Sequence, residues 1–251
     1  MTHPHATDTS GAAGGPLAPA PAAALGILSA RGIACRRGRR LLFRDLDLNL
    51  QPGALIWLRG RNGSGKTSLL RALAGLGSVE AGSIGYGAPG VLADSVAARH
   101  AWRSQLIYIG HANALKDDLS LAESLAFLAR LHGQDAAPPQ LQAALRSFDV
   151  AQRADAPVRT LSQGQRRRGA LSRLALGEQP RHWLLDEPFD ALDRDGIERL
   201  VALLVANAAR GGSVLFTSHQ SVALPGVVEF DLEACCEPGS ANRAAVRNRD
   251  G

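Results

Sequence analysis

The chain has 251 residues, enough for one large domain or for one domain with a small inserted lobe. The apolar fraction of 45% is ordinary for a protein with a buried core, and no apolar run approaches the ~20 residues that span a bilayer. The net charge of +5 suits a polyanionic partner, but nearly all the basic residues are Arg, which indicates a GC-rich genome choosing Arg for surface cations.

Both ends of the chain have compositions that predict disorder. Residues 1–24 are mostly Ala, Pro, Gly, Thr and Ser, and such a stretch cannot bury enough apolar surface to offset its ordering entropy. Residues 232–251 are expected to form a frayed basic tail. The folded unit should therefore cover about 25–231. The start of the chain lacks a charged segment followed by an apolar one, so we expect no secretory signal.

Two residue types are rare enough to be informative. Lys66 and Lys116 are the two lysines, and a compact ammonium is not equivalent to the planar fork of Arg in a tight phosphate site. These positions are therefore candidates for sites that require Lys. Cys35, Cys235 and Cys236 form no CxxC motif and no metal spacing with His, which is typical of thiols in a reducing cytosol.

Within the folded unit, short apolar strands alternate with helices. The predicted strands are 54–60, 105–110, 182–187 and 213–218, and the predicted helices include 67–76, 163–176 and 196–210. This alternation predicts an α/β fold with a parallel or mixed sheet core. The run 119–178 breaks the alternation and is predicted to be an inserted α-helical lobe, with outer bounds at about 112–178.

Two helices are predicted inside this lobe from their starting residues. Ser120 and Glu123 have the spacing of a capping box, and Pro138 with Pro139 is typical of a helix start. Their apolar stripes are Leu121, Leu125 and Leu128 in the first helix, and Leu141, Leu145 and Phe148 in the second.

Residues 60–67, GRNGSGKT, match GxxxxGK[ST] between a predicted strand and a predicted helix. Glycines allow successive backbone N–H groups to point inward at phosphate oxygens, and the helix start adds its positive dipole end. Lys66 would place a charge on the β- and γ-phosphates, and the Thr67 hydroxyl would bind Mg²⁺. The candidate nucleotide-binding residues here are Gly60, Arg61, Asn62, Gly63, Ser64, Gly65, Lys66, Thr67 and Ser68.

A second motif is HWLLDEP, residues 182–188, in which an apolar strand runs into Asp186 and Glu187. Ligands bind at the carboxyl ends of strands in open α/β sheets. Asp186 is therefore the candidate metal ligand beside Thr67, and Glu187 is the candidate base that polarises the attacking water.

The third motif is LSQGQ, residues 161–165, where Ser162 and Gln165 have capping-box spacing. Together with the two preceding motifs, it makes the sequence resemble the ABC ATPase superfamily, whose signature LSGGQ opens a helix. The resemblance implies nucleotide contacts from Ser162, Gly164 and Gln165, a D-loop at Asp193 and a switch histidine at His219.

Five segments narrow the resemblance. They are LLFRDLDLNLQPGAL, YIGHANALKDDLSLAESL, LSQGQRRRGALSRLAL, WLLDEPFDALDRDG and TSHQ. They are similar to the haem exporter ATPase family of bacterial cytochrome c maturation, CcmA. The most discriminating feature is GHxxxxK, with His111 and Lys116, in place of the usual Gln loop. The resemblance makes His111 a candidate catalytic residue with Lys66, Glu187 and His219.

The sequence departs from the superfamily at several positions. Gln163 replaces a signature Gly, and an aromatic residue that often stacks on adenine is missing. Arg36 or Arg37 occupies that region, and a guanidinium plane can stack on a base. The run RRR at 166–168 fits the narrower family, although a solvated helix face also explains it.

The resemblance implies ATP and Mg²⁺ as ligands, sandwiched between two copies of the chain arranged head to tail. It also implies integral membrane subunits docked near residues 112–160, an indirect link to a haem chaperone, and a peripheral place on the cytoplasmic face of the bacterial inner membrane. No nucleic-acid partner is expected.

Three other functions remain open at this point. The chain could serve another small exporter, for a drug or a lipid. A soluble ABC protein acting on nucleic acid fits poorly, since such relatives carry tandem domains or long heptad insertions. A nonhydrolytic interaction module conflicts with Lys66, Asp186, Glu187 and His219 all being present.

Overall fold

The computed structural model describes residues 25–88, 91–93, 95–134, 136–177, 179, 181–233 and 247–248. The predicted disorder of 1–24 lies outside these residues, as does most of the predicted C-terminal tail, including Cys235 and Cys236. The folded part reaches beyond 231, because Leu232 is buried and the Glu233 carboxylate accepts a hydrogen bond of 2.8 Å from the backbone N–H of Arg61. No helix in the described ranges is both long and apolar enough to cross a bilayer.

Ten strands and six α-helices are numbered here in chain order. The strands are β1 (Ile27–Arg37), β2 (Arg40–Leu50), β3 (Leu55–Arg59), β4 (Ala81–Ala88), β5 (Val91–Ala93), β6 (Leu106–Ile109), β7 (His182–Leu185), β8 (Ser213–Thr217), β9 (Val228–Asp231) and β10 (Arg247–Asn248). The helices are α1 (Lys66–Leu73), α2 (Val96–Ser104), α3 (Leu121–Leu131), α4 (Pro138–Ser147), α5 (Gln163–Leu171) and α6 (Arg194–Ala209).

The larger sheet has the order β10-β9-β3-β8-β7-β6. All neighbours from β9 to β6 are parallel, and β10 adds an antiparallel edge pair to β9. Because parallel strands present their carboxyl ends at one edge, the loops after β3, β6, β7 and β8 meet there. The predicted mixed or parallel core is thus confirmed, with each predicted strand placed within one or two residues.

A second sheet is antiparallel throughout, in the order β2-β1-β4-β5. No strand was predicted for these segments. A signal was present, because the alternating Leu46, Leu48 and Leu50 of β2 are buried and the residues between them are exposed. This sheet carries Leu42 and Phe43 to the back of the loop that precedes α1.

The inserted lobe contains α3, α4 and α5. The predicted capping box of Ser120 and Glu123 is present at the start of α3, and Pro138 opens α4. Both predicted apolar stripes are buried. Helix α5 is shorter than predicted, since it ends at Leu171 and continues as a 3-10 turn over Ser172–Ala175.

The larger sheet separates two hydrophobic cores, because successive side chains of a strand point to opposite faces. In β3, Leu55 and Trp57 pack with the lobe helices and α6, whereas Ile56 and Leu58 pack with α1 and the antiparallel sheet. Both faces of the central strands are therefore buried, which fixes the positions of the loops that follow them.

Candidate functional site

The loop between β3 and α1 has a backbone that only glycine adopts easily. Gly60, Gly63 and Gly65 have φ values of 143°, 77° and 110°. A Cβ on Gly65 would also lie 3.0 Å from the Cβ of Leu42, so the antiparallel sheet closes the loop from behind. This segment, residues 60–67, is called the phosphate loop below. Its last two residues, Lys66 and Thr67, are the first two of α1.

Lys66 is buried, and its ammonium stays within the phosphate loop. Its Nζ donates to the carbonyl oxygen of Gly60 at 2.6 Å and to that of Arg61 at 3.2 Å. The Ser64 hydroxyl oxygen is buried and has no hydrogen-bond partner among the described residues. A charged donor and an unpaired hydroxyl at a helix N-terminus fit a phosphate group. The Arg61 side chain instead lies 3.5 Å from the Glu233 carboxylate.

Asp186 follows β7 directly and contacts the start of α1. Its Oδ2 accepts a hydrogen bond of 2.8 Å from the Thr67 hydroxyl, and its Oδ1 accepts one of 3.0 Å from the Thr217 hydroxyl. Among the described residues, no three His, Cys, Asp or Glu side chains are placed to hold a metal ion by themselves. One carboxylate with one hydroxyl suits Mg²⁺, which takes its remaining ligands from phosphate oxygens and water.

Glu187 adopts a left-handed backbone conformation with φ 48°, which is costly for a residue with a side chain. Its N–H donates to the Thr217 hydroxyl at 2.8 Å. Its Oε2 accepts from the backbone N–H of His219 at 3.0 Å, and its Oε1 lies 3.4 Å from His219 Nε2. The turn therefore directs the mostly buried Glu187 carboxylate at His219.

These groups share one open cavity of about 330 Å³. The described residues that line it are Arg37, Arg40, Leu42, Asn62, Gly63, Gly65, Lys66, Thr67, Ser68, His111, Asp186, Glu187 and His219. The four candidate catalytic residues and both candidate metal ligands are therefore brought together. His111 reaches the cavity because it stands two residues after the end of β6, the strand beside β7.

The signature residues lie elsewhere in the chain. Ser162 caps α5 with the predicted box: its hydroxyl accepts from the Gln165 N–H at 3.2 Å, and the Gln165 side chain accepts from the Ser162 N–H at 3.0 Å. Gly164 packs against the carbonyl oxygen of Ala191, and a Cβ there would lie 3.1 Å from it. None of Ser162, Gly164 and Gln165 lines the cavity described above, so a single chain does not bring the signature to its own phosphate loop.

Asp193 also stands outside the cavity lining. It is the N-cap of α6, accepting a hydrogen bond of 2.9 Å from the Gly196 N–H, and it forms an ion pair with Arg168. The Gly196 N–H, and after it the Arg168 guanidinium, lower the pKa of the Asp193 carboxyl. The start of α6 is therefore joined to α5, the helix that Ser162 caps.

Two features were missed or misassigned from the sequence. Residues 166–168 do not form a solvated face, because Arg167 is buried with 4% exposure and donates to backbone carbonyls beside the carboxylates. Near the cavity mouth, Arg36 is bound to Glu80 at 2.9 Å, whereas Arg37 and Arg40 line the cavity. Arg40, at the tip of the β1–β2 hairpin, carried no signal in the sequence.

Comparison with known proteins agrees with this geometry. The family model for ABC transporters matches residues 43–190. A cytochrome c biogenesis ATP-binding export protein CcmA of Albidiferax ferrireducens is 44% identical over 206 residues, covering 82% of this chain and 96% of that protein. The protein of the same name from Pseudomonas putida is 47% identical over 195 residues, covering 78% of this chain and 90% of that protein.

Solved structures share the fold. The ATP-binding subunit of an ABC transporter has a TM-score of 0.67 at 24% identity, covering 77% of this chain and 79% of that one. A dimeric bacterial ABC transporter cassette has a TM-score of 0.67 at 20% identity, covering 82% of this chain and 94% of that one. The chain belongs to the ABC transporter family and, within it, to the family of the cytochrome c biogenesis ATP-binding export proteins, CcmA.

Proposed function

We propose that this chain is the ATP-binding, ATP-hydrolysing subunit of the membrane complex that exports or handles haem during cytochrome c maturation. Its relatives are named as ATP-binding export proteins of cytochrome c biogenesis, which supports a role in that process. One observation carries the chemistry: the Thr67 hydroxyl of the phosphate loop lies 2.8 Å from Asp186, beside Glu187 and His219 in one cavity. Binding and hydrolytic groups are thereby adjacent.

The nucleotide lies with its phosphates on the phosphate loop and on Lys66. Thr67 and Asp186 would hold Mg²⁺, which supplies charge neutralisation at the phosphate oxygens. The base lies toward Arg37 and Arg40, whose guanidinium planes can stack on it in place of the missing aromatic residue.

Hydrolysis depends on Glu187 and His219. The Glu187 carboxylate accepts a hydrogen bond from the attacking water and so orients it toward the γ-phosphate. His219 lies 3.4 Å from that carboxylate and is half exposed at the cavity wall, where it can donate to the γ-phosphate. His111 lines the same cavity and takes the place of the Gln that is usual in the superfamily.

The complete site needs a second copy of the chain. Ser162, Gly164 and Gln165 lie at the start of a helix, whose positive dipole end favours an anion. They do not line the cavity of their own chain, so they are free to cover the γ-phosphate held by a partner. A head-to-tail homodimer then holds two ATP molecules between its subunits.

Integral membrane subunits receive the resulting motion. The loop that leads from His111 to α3 carries Lys116, whose side chain is exposed while its backbone N–H is fixed by the Ser124 hydroxyl at 3.0 Å. This loop and the lobe face the membrane subunits on the cytoplasmic side of the bacterial inner membrane. Haem and its chaperone are contacted through those subunits and not by this chain.

The experiment is genetic rescue in a bacterium that lacks its own CcmA, with covalent haem on c-type cytochromes as the readout. The wild-type chain should restore it, and Lys66→Ala, produced at the same level, should not. If purified protein hydrolyses ATP normally but rescue fails beside its own membrane subunits, the chain serves another exporter. In reconstituted complex, Lys116→Ala should reduce the stimulation by the membrane subunits and spare hydrolysis by the isolated chain.

A further inference from the structure

Arg167 makes an unusual set of contacts for an arginine on a helix surface. It stands in the second turn of α5 and is buried with 4% exposure. Five acceptors surround its guanidinium, four of them backbone carbonyls. They are Pro188 O at 3.4 Å, Gly110 O at 3.1 Å, Asn113 Oδ1 at 3.0 Å, Asp186 O at 3.0 Å and Glu187 O at 2.6 Å.

These acceptors belong to two neighbouring strand ends. Asp186 and Glu187 follow β7, and Gly110 follows β6, which pairs with β7 in parallel. Asn113 lies in the loop that begins with His111. One side chain of the inserted lobe therefore binds the segments that follow both strands.

The burial of this charge is costly unless its donors are used. Burial lowers the pKa of Arg167, and the carboxylates of Asp190, Asp186 and Glu187 oppose that shift. A neutral residue here would remove the cost but would deprive four backbone carbonyls of this donor. The geometry therefore indicates that the guanidinium is needed for the arrangement of the carbonyls it binds.

The strongest consequence falls on Glu187. Its backbone has φ 48°, a conformation that requires support from its surroundings. The Thr217 hydroxyl accepts its N–H at 2.8 Å. Its carbonyl oxygen accepts from Arg167 Nη2 at 2.6 Å and, within the turn, from the Asp190 N–H at 3.2 Å. The two bonds from outside the turn, those of Thr217 and Arg167, therefore support the strained backbone that directs the carboxylate at His219.

We propose that Arg167 is a positioning residue for hydrolysis, which fixes the backbone of Glu187 and joins it to the signature helix. Ser162 and Gly164 open that same helix. Arg167 belongs to this helix and its guanidinium binds the Glu187 backbone. A displacement of the helix by a partner's nucleotide is therefore transmitted to the Glu187 carboxylate of the same chain. This inference rests on the proposed ATPase function.

A double-mutant cycle tests the proposal with the full chain and its membrane subunits. Arg167→Gln should lower kcat about 10²-fold, the scale expected when a catalytic group is displaced by about 1 Å. The Kd for ATP, measured by fluorescence of a labelled nucleotide, should stay within about twofold of wild type, since no contact of Arg167 lies in the phosphate loop. In a Glu187→Gln background, the same substitution should change the residual rate by less than about twofold.

A merely structural role gives a different pattern. Reduced folding would lower the amount of active protein in both backgrounds alike, so equal fold-losses of rate overturn the proposal. Arg173→Gln is the matched control, because Arg173 is equally buried, with 4% exposure, at the far end of the same segment. Any loss that it causes should be the same in both backgrounds.

A second variant keeps the test valid if Arg167→Gln does not fold. Arg167→Lys retains the charge but has one nitrogen, which cannot reach all five acceptors. It should lower kcat by less than Arg167→Gln, again with no further loss in the Glu187→Gln background. Wild-type kcat in either Arg167 variant would overturn the proposal. Failure of the wild-type chain to hydrolyse ATP would instead overturn the proposed function.

Discussion

The phosphate loop and the carboxylate pair, Asp186 and Glu187, face each other across one cavity but are built in different ways. The phosphate loop is local: its glycines, Lys66 and Thr67 lie within eight consecutive residues. The carboxylate pair depends on distant residues, because Thr217 and Arg167 hold it from positions 30 and 20 residues away from Glu187. Nucleotide binding and hydrolysis should therefore be separable by mutation.

The largest separation is expected for Glu187→Gln. The amide keeps the shape of the side chain but cannot act as a base, so hydrolysis should fall by about 10²–10⁴-fold. ATP affinity should be retained, because the phosphate loop is unchanged. Phosphate release and nucleotide binding, measured on one preparation, check this prediction. Wild-type turnover would show that another group polarises the water.

Lys66→Arg should have its effect on the phosphate loop, and so on nucleotide binding, and should leave the carboxylate pair in place. The ammonium is held by two carbonyls of its own loop at 2.6 and 3.2 Å, a space that a planar fork does not fit. We expect nucleotide binding to be lost almost as completely as in Lys66→Ala, with hydrolysis reduced by at least about 10²-fold. Equilibrium binding of labelled ATP is the measurement. Near-normal affinity in Lys66→Arg would show that the loop tolerates either cation.

Thr217→Val should have a smaller effect, confined to the carboxylate pair. Valine removes the hydroxyl that accepts the Glu187 N–H and donates to Asp186. Leaving a buried donor unpaired costs about 1–3 kcal/mol, so kcat should fall about tenfold and the melting temperature should decrease. Thr217→Ser retains the hydroxyl and is the matched control. Equal hydrolysis rates in Thr217→Val and Thr217→Ser would show that the Thr217 hydroxyl does not contribute to hydrolysis.

The smallest effect concerns the other end of β7, at His182, which is buried against Ser213 and the rings of Tyr86 and Trp102. Burial lowers the pKa of His182 from 6.5 to about 4, so the folded state holds it neutral. Its contribution to stability is present above pH 6.5 and is lost as the pH falls toward 4.

Between pH 7 and pH 5 this loss should reach about 2 kcal/mol. His182→Asn, which can keep the bond to Ser213, should flatten the stability profile without changing hydrolysis at neutral pH. A residual slope is expected from His132. Burial, and after it the charge of Arg173, lower the pKa of His132 to about 4. Chemical denaturation at both pH values measures the difference. Identical slopes in wild type and His182→Asn would contradict the lowered pKa of His182.

The same contrast explains what could be predicted from sequence. The phosphate loop, the strand that ends before Asp186 and the capping boxes at Ser120 and Ser162 are local patterns, and the structure contains each of them. The role of Arg167 was not predictable, since a run of three arginines on a helix is also typical of a solvated surface. Its partners lie 19 to 57 residues away, and only the fold brings them together.

The antiparallel sheet was missed for a related reason. Its strands contain bulges, so the alternation of buried and exposed residues in β1 changes phase between Ala30 and Ile33 and again before Cys35. The position of Arg40 at the cavity depends on this hairpin. It could not be derived from a motif.

We propose that ATP is held between two copies of the chain, by the phosphate loop of one and the signature of the other. The most direct test is the molecular mass of Glu187→Gln in solution, measured by light scattering with and without ATP and Mg²⁺. We expect a monomer without nucleotide and a dimer with it. Ser162→Arg, added to the same variant, should abolish the dimer while each chain still binds ATP. A Glu187→Gln chain that stays monomeric with ATP bound would contradict the shared site.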